Sequence, residues 1–369
     1  MNAPDAGRKR RASATLQVVV LVVLLGVLVA AVAADWTNAR RVLRAADWRL
    51  LAPALAVTVL SYLCSSAAYA QAVRVFGVAS RTTRLILAGF VSMAINNLIT
   101  LGGAGYAVGA VLLTARDMTA LSDRGRGGQL SDNSDRVPSR VSDIAAASAF
   151  NSYLYLAVGT TCLPLSLLYV IADRRLPHRA ETGIVLVVAL GCLLAVLVNL
   201  AVFLPRFRAA LLRFLGNAFR RLMRRDIEGK LNSFDDSFTR GLTLLRSRRG
   251  RLVGLLAAII GDWLFCAAAI WFCFAALGIR LHAGVMLSGF FIGIAAGALS
   301  MLPGGVGVQD GSMAGVFALL GVPFGPALLA AVLFRVVYYL VPFAFALAVY
   351  GWLMRTTARS AEPGPGPTA

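Results

Sequence analysis

Apolar runs of spanning length recur along the chain, separated by short basic stretches. They cover residues 16–34, 50–72, 144–171, 183–204, 252–277 and 328–353. A helix crossing a hydrocarbon layer of about 30 Å needs about 20 apolar residues, so these runs predict six membrane-spanning helices. Two further apolar stretches, 85–113 and 283–320, are interrupted in the middle by Gly102-Gly103-Ala104-Gly105 and by Pro303-Gly304-Gly305-Val306-Gly307. Glycine costs about 1 kcal/mol in a helix relative to alanine and proline about 3, so each stretch should break at its cluster. Residues 35–49 hold Arg40, Arg41, Arg44 and Arg49 between Trp36 and Trp48 and predict an amphipathic interfacial helix.

Charge decides whether the broken stretches cross. The chain carries 36 Lys+Arg against 17 Asp+Glu, and residues 205–251 alone hold 13 basic and 4 acidic residues. The positive-inside rule places that segment in the cytoplasm with the basic N-terminus. This holds only if residues 85–113 enter and leave on one side as a hairpin. The cytoplasmic segments then hold 27 basic residues, the external ones 8, and Arg335 is left inside a span.

The two broken stretches align at an offset of 200 residues. Leu87-Ala88-Gly89-Phe90 matches Leu287-Ser288-Gly289-Phe290, and Ser61-Tyr62-Leu63 matches Asp262-Trp263-Leu264 one residue out of that register. Span, broken hairpin and span thus occur twice with opposite orientation. The expectation is an all-α polytopic membrane protein, with six spanning helices plus two re-entrant broken-helix hairpins arranged as inverted repeats. Its parts are a basic cytoplasmic N-terminus (1–15), one transmembrane domain (16–354) and a disordered tail (355–369). Within the domain, repeat 1 covers about 50–171, the cytoplasmic basic segment 205–251 and repeat 2 about 252–354. Inverted repeats with broken helices are a transporter arrangement, where non-helical backbone lines a cavity near the midplane.

Composition narrows the chemistry. With 59% hydrophobic and 14% charged residues, the bilayer is the expected solvent. The five cysteines lie inside apolar runs with no CxxC or Cys/His cluster, and only two histidines occur, so no metal site and no cofactor is expected. No nucleophile elbow, P-loop or dinucleotide fingerprint is present, so no enzymatic activity is assigned. Nucleic acid is not expected as a partner; the arginines of 206–251 fit an anionic membrane surface instead.

Ionisable residues inside the membrane each cost at least about 2.5 kcal/mol and should face inwards. Asp262, Asp310 and Arg335 are such residues, and Arg335 with Asp310 is the expected pair. The lipid-binding set then comprises Asp262, Pro303, Gly304, Gly305, Gly307, Asp310, Arg335, Tyr338 and Tyr339 from the second repeat. Arg335 would supply a donor fork to an anionic headgroup, and amide N–H groups freed at the glycines would add donors. The first repeat contributes Asn96, Asn97, Thr100, Gly102, Gly103 and Gly105 as an uncharged wall, with Asn151, Ser152 and Tyr153 on the span that follows.

The segments LPGGVGVQDGSMAGVFALLGVP (302–323) and ALLAAVLFRVVYYLVPF (327–343) resemble the signature of the lysylphosphatidylglycerol synthase transmembrane, or flippase-like, domain family. The resemblance extends over about 50–353. Asp310 stands where that family commonly has Glu, and Arg335 at the family's arginine. Asn97 and Gly102-Gly103 match the first-repeat pattern, although its proline is absent around Thr100 and no arginine follows near Gly109. The resemblance implies a stand-alone member without the aminoacyltransferase domain, in the cytoplasmic membrane of a bacterium with both termini cytoplasmic. The function it implies is translocation of a lipid, anionic or aminoacylated. Two alternatives stand beside it: a scaffold for a separate lipid-modifying or glycosyl-transferring enzyme, docked through 206–251, and a lipid transferase with Asp262 or Asp310 as base.

Overall fold

The computed structural model describes residues 36–78, 80–99, 105–114, 136–172, 181–223, 235–236, 239–244, 249–300 and 302–359. The expected first span (16–34), Thr100, Gly102, Gly103 and most of the tail lie outside them. Every regular element among the described residues is helical, as lipid requires of segments that must satisfy their own backbone groups.

In chain order the helices are α1 (Trp36–Arg44), a 3₁₀ turn (Trp48–Leu50), α2 (Leu51–Val75), α3 (Thr82–Ile99), α4 (Gly105–Thr114), α5 (Arg136–Ala172), α6 (Glu181–Phe203) and α7 (Pro205–Met223). They continue with α8 (Arg249–Ala276), α9 (Ala283–Leu299), a 3₁₀ turn (Pro303–Gly305), α10 (Val308–Leu319) and α11 (Phe324–Arg335). A π-helical turn (Val336–Leu340) then joins α11 to α12 (Val341–Arg359). Among the described residues, four helices are long and apolar enough to cross a membrane: Trp48–Val75, Val141–Tyr169, Gly250–Ala276 and Phe324–Arg355. A fifth candidate joins Ala189–Ala201 to Pro205–Phe214, which bends away by 115°. Leu186, Leu190, Leu193 and Val196 of α6 are exposed, as lipid-facing positions should be.

The long seam of the molecule is α2 against α8, and it is antiparallel. Asp47 N–H donates to the Ala276 carbonyl at 2.8 Å at one end, and Gln71 lies against Gly254 at the other. The helix pairs α3–α4 and α9–α10 each fold back on themselves. In the second pair, Gly289, Gly293 and Gly297 face Phe317, Met313 and Gln309, so the arms run antiparallel with glycine on every fourth residue of α9. A Cβ at Gly293 would stand 2.8 Å from that of Met313, which shows how closely the backbones approach. In the first pair, Gly105 and Gly109 of α4 lie on Asn96 and Ser92 of α3, and Arg84 Nη2 donates to the Leu112 carbonyl at 2.6 Å. None of these four arms is long and apolar enough to cross a membrane by itself.

The basic segment behaves differently from a helix lying wholly on lipid. Arg208 of α7 is buried. Its Nε pairs with Asp235, its Nη2 donates to Thr239 Oγ1 at 2.7 Å and its Nη1 to the Ala201 carbonyl at 3.3 Å. Gly241 packs onto Phe76 and Phe150, and Arg240 reaches Asp143 at 2.9 Å while lying over the Phe76 ring. One expected membrane-surface arginine is therefore a clasp that holds residues 235–236 and 239–244 against the C-terminal end of α2 and the first half of α5.

Candidate functional site

The second glycine cluster forms a true break. Gly304, Gly305 and Gly307 have φ of +60°, +59° and +79°, the left-handed region that other residues rarely enter. At Gly304 space forbids a side chain as well, because a Cβ would lie 2.8 Å from the Leu98 carbonyl oxygen. The C-terminal end of α3 thus rests on the break between α9 and α10.

Arg335 at the end of α11 closes this break. Its Nε donates to Asp310 Oδ1 at 2.9 Å and its Nη1 to the Gly304 carbonyl at 2.8 Å, while Nη2 is buried with no hydrogen-bond partner among the described residues. Asp310 Oδ2 accepts Gly307 N–H at 3.0 Å, capping α10 from its first turn. The guanidinium lies over the Tyr339 ring, and the Tyr339 hydroxyl meets Gln309 Nε2 at 2.9 Å. The expected pair is present, but the glycine amides are not free donors. Gly305 N–H goes to the Leu302 carbonyl at 2.9 Å and Gly307 N–H to Asp310.

Asp262 belongs to a second cluster. It is buried and contacts Ser61 Oγ, which also lies 2.7 Å from the Tyr338 hydroxyl. Among the described residues no arginine or lysine pairs with it; Arg335 is taken by Asp310. Tyr62 donates to the Tyr338 carbonyl at 3.1 Å, and Asn97 Nδ2 donates to the Tyr62 hydroxyl at 3.1 Å. A carbonyl in the π-helical turn is thereby bound by a side chain from α2, a local irregularity of the kind found at functional positions.

Between α3, α4 and α5 lies a cavity of about 740 Å³. Its polar wall is Asn96, Asn97, Tyr106, Ser148, Ser152 and Tyr155, and alanine, valine and methionine complete it. Asn96 Oδ1 accepts Gly105 N–H at 3.0 Å, so the asparagine holds the first break as Asp310 holds the second. The Tyr155 hydroxyl is buried and turned to Asp262. Arg335, Asp310 and the second-repeat glycines do not line this cavity.

The expected residues therefore fall into three groups: Arg335, Asp310 and Tyr339 at the break, Asp262 and Tyr338 at the α2–α8 crossing, and Asn96 and Asn97 on the cavity. Tyr153 binds the Val198 carbonyl at 2.6 Å and serves packing against α6. Ser61, Tyr62, Tyr106, Ser148, Tyr155 and Gln309 were not expected from the sequence. Ser61 had a signal, because the repeat alignment sets it opposite Asp262.

A family model for the lysylphosphatidylglycerol synthase TM region matches residues 16–346, nearly the whole chain. The chain belongs to that family. It is similar to a UPF0104 membrane protein of Methanothermobacter thermautotrophicus, 29% identical over 122 residues, which are 32% of this chain and 34% of that protein. It is also similar to a phosphatidylglycerol lysyltransferase of Staphylococcus aureus, 31% identical over 114 residues. That match spans 30% of this chain and only 14% of the transferase. The chain is thus a membrane protein related to one that modifies a phospholipid.

Proposed function

We propose that this protein moves a lipid between the leaflets of the cytoplasmic membrane, its headgroup passing through the cavity between α3, α4 and α5. In this reading the two broken helix pairs are re-entrant hairpins of an inverted repeat, within a six-span topology whose termini are cytoplasmic. The observation that carries it is the contact of the end of α3 with the break between α9 and α10, Leu98 against Gly304, beside a cavity with a polar wall inside an otherwise apolar helix bundle. Two further features support the repeat. The helices α2 and α8 pack antiparallel, and the matched residues Ser61 and Asp262 touch where they cross. A two-fold axis between the repeats would bring equivalent residues together in this way.

Relationship to a phosphatidylglycerol lysyltransferase supports a lipid as cargo. It also supports a second reading, a scaffold serving a separate lipid-modifying enzyme, with the basic segment 206–251 as the docking element. The cavity favours the first. Vesicles carrying a lipid fluorescent in the headgroup test it with an external quencher: the reconstituted protein should render both leaflets quenchable, whereas protein-free vesicles lose only half the signal. Half-quenching in both would reject transport.

A further inference from the structure

The cavity wall has a composition more specific than "polar". None of its lining residues is charged. Arg335 is turned to Asp310 and Gly304, and Asp262 is turned to Ser61, with Tyr155 between it and the cavity. The hydrogen-bonding groups that remain are of both kinds. Asn96 has given its Oδ1 to Gly105 N–H and offers its NH₂ as a donor. Asn97 has given its NH₂ to Tyr62 and offers Oδ1 as an acceptor. Ser148 and Ser152 donate to the Ile144 and Ser148 carbonyls, leaving their oxygens as acceptors, while the buried Tyr155 hydroxyl is turned to Asp262.

A phosphate presents acceptors alone and an ammonium donors alone, and each needs a wall of the opposite kind with a compensating charge. A hydroxyl donates one bond and accepts others, so adjacent hydroxyls need alternating acceptors and donors. Asn96 and Asn97, side by side with opposite groups free, supply that alternation. Two tyrosines, Tyr106 and Tyr155, add aromatic surface against which a ring can lie.

We infer that the cavity binds an uncharged, polyhydroxylated headgroup, a sugar or similar polyol, and that a phosphate, where the lipid has one, stays outside it. The inference rests on the transport reading for the passage of the lipid, yet binding by itself measures it. Purified protein is offered equal amounts of glucosyl diacylglycerol, phosphatidylglycerol and lysylphosphatidylglycerol, and native mass spectrometry reports which is retained. The glucosyl lipid should exceed each phospholipid by at least about fivefold, in keeping with one or two net hydrogen bonds. Ser152→Ala, which removes one acceptor oxygen from the wall, should lower its retention about threefold, and Ala149→Lys should turn the preference towards phosphatidylglycerol.

Equal retention of the three lipids, preference for either phospholipid, or a preference that neither substitution changes would overturn the inference. Glucosyl lipid retained without movement between leaflets would instead reject transport and leave the headgroup class standing. Movement of phosphatidylglycerol with no glucosyl retention would do the reverse.

Discussion

The Nε of Arg335 donates to Oδ1 of Asp310 at 2.9 Å, and the other oxygen of the same carboxylate accepts Gly307 N–H, so one ion pair staples the break to the end of α11. Both side chains are at least nine-tenths buried. Arg335→Ala leaves a buried carboxylate without its counter-charge and should destabilise the fold by about 3–5 kcal/mol. The double variant Arg335→Met, Asp310→Asn removes both charges and keeps an acceptor for Gly307, so it should recover most of that loss. Denaturation titrations in mixed micelles of wild type, single and double variants measure the difference. A double variant as unstable as Arg335→Ala would contradict this role for the pair.

Close approach of α9 to α10 depends on the absence of side chains at three positions. Gly293→Ala would set a methyl 2.8 Å from Met313 Cβ and 3.2 Å from its Cα, a clash with backbone that rotation cannot relieve. The expected cost is about 1–3 kcal/mol. Gly315 of α10 has nothing within 4 Å of its Cβ position, so Gly315→Ala should be neutral or gain slightly from helix propensity. Melting temperatures of the two variants in one detergent give the comparison, and equal shifts would mean that the arms are not in contact.

Ser61 and Asp262 make opposite predictions for two small changes. Asp262 has no cationic partner among the described residues, so Asp262→Asn should hold stability within about 1 kcal/mol of wild type or raise it, because an amide is easier to bury than an uncompensated carboxylate. Ser61→Ala withdraws a hydrogen bond from that carboxylate and should cost about 1–3 kcal/mol. The same micellar titration ranks them, and the reverse order would require a cation against Asp262 in the folded protein.

Hydropathy carries the spans, since lipid demands long uninterrupted apolar helices, and the glycine clusters carry the second break, whose φ values only glycine readily adopts. The Arg335–Asp310 pair follows from the cost of ionisable groups in the membrane. Other parts of the site are set by packing that no local pattern encodes. The wall joins Asn96, Tyr106 and Tyr155 from three helices, and a tyrosine in an apolar run has the same appearance whether it fills a core or lines a cavity. Asp262 goes to Ser61 instead of an arginine because α2 and α8 cross there. The amides of Gly305 and Gly307 are consumed locally because the chain turns back on itself tightly enough to reach Leu302 and Asp310. The four-residue spacing of Gly289, Gly293 and Gly297 is visible in the sequence as a stripe of small residues, but its partner α10 emerges only in the folded chain.

If lipid headgroups pass through the cavity bounded by α3, α4 and α5, a bulky group fixed inside it must block them. In a background without the five native cysteines, Ala107→Cys puts a thiol on the cavity wall and Leu190→Cys puts one on the outer face of α6. Labelling each to completion with a bulky polar maleimide, then following lipid movement in vesicles, tests the route. Labelled Ala107→Cys should stop the movement and labelled Leu190→Cys should leave it at the unlabelled rate. Undiminished movement with the cavity thiol fully labelled would contradict that route.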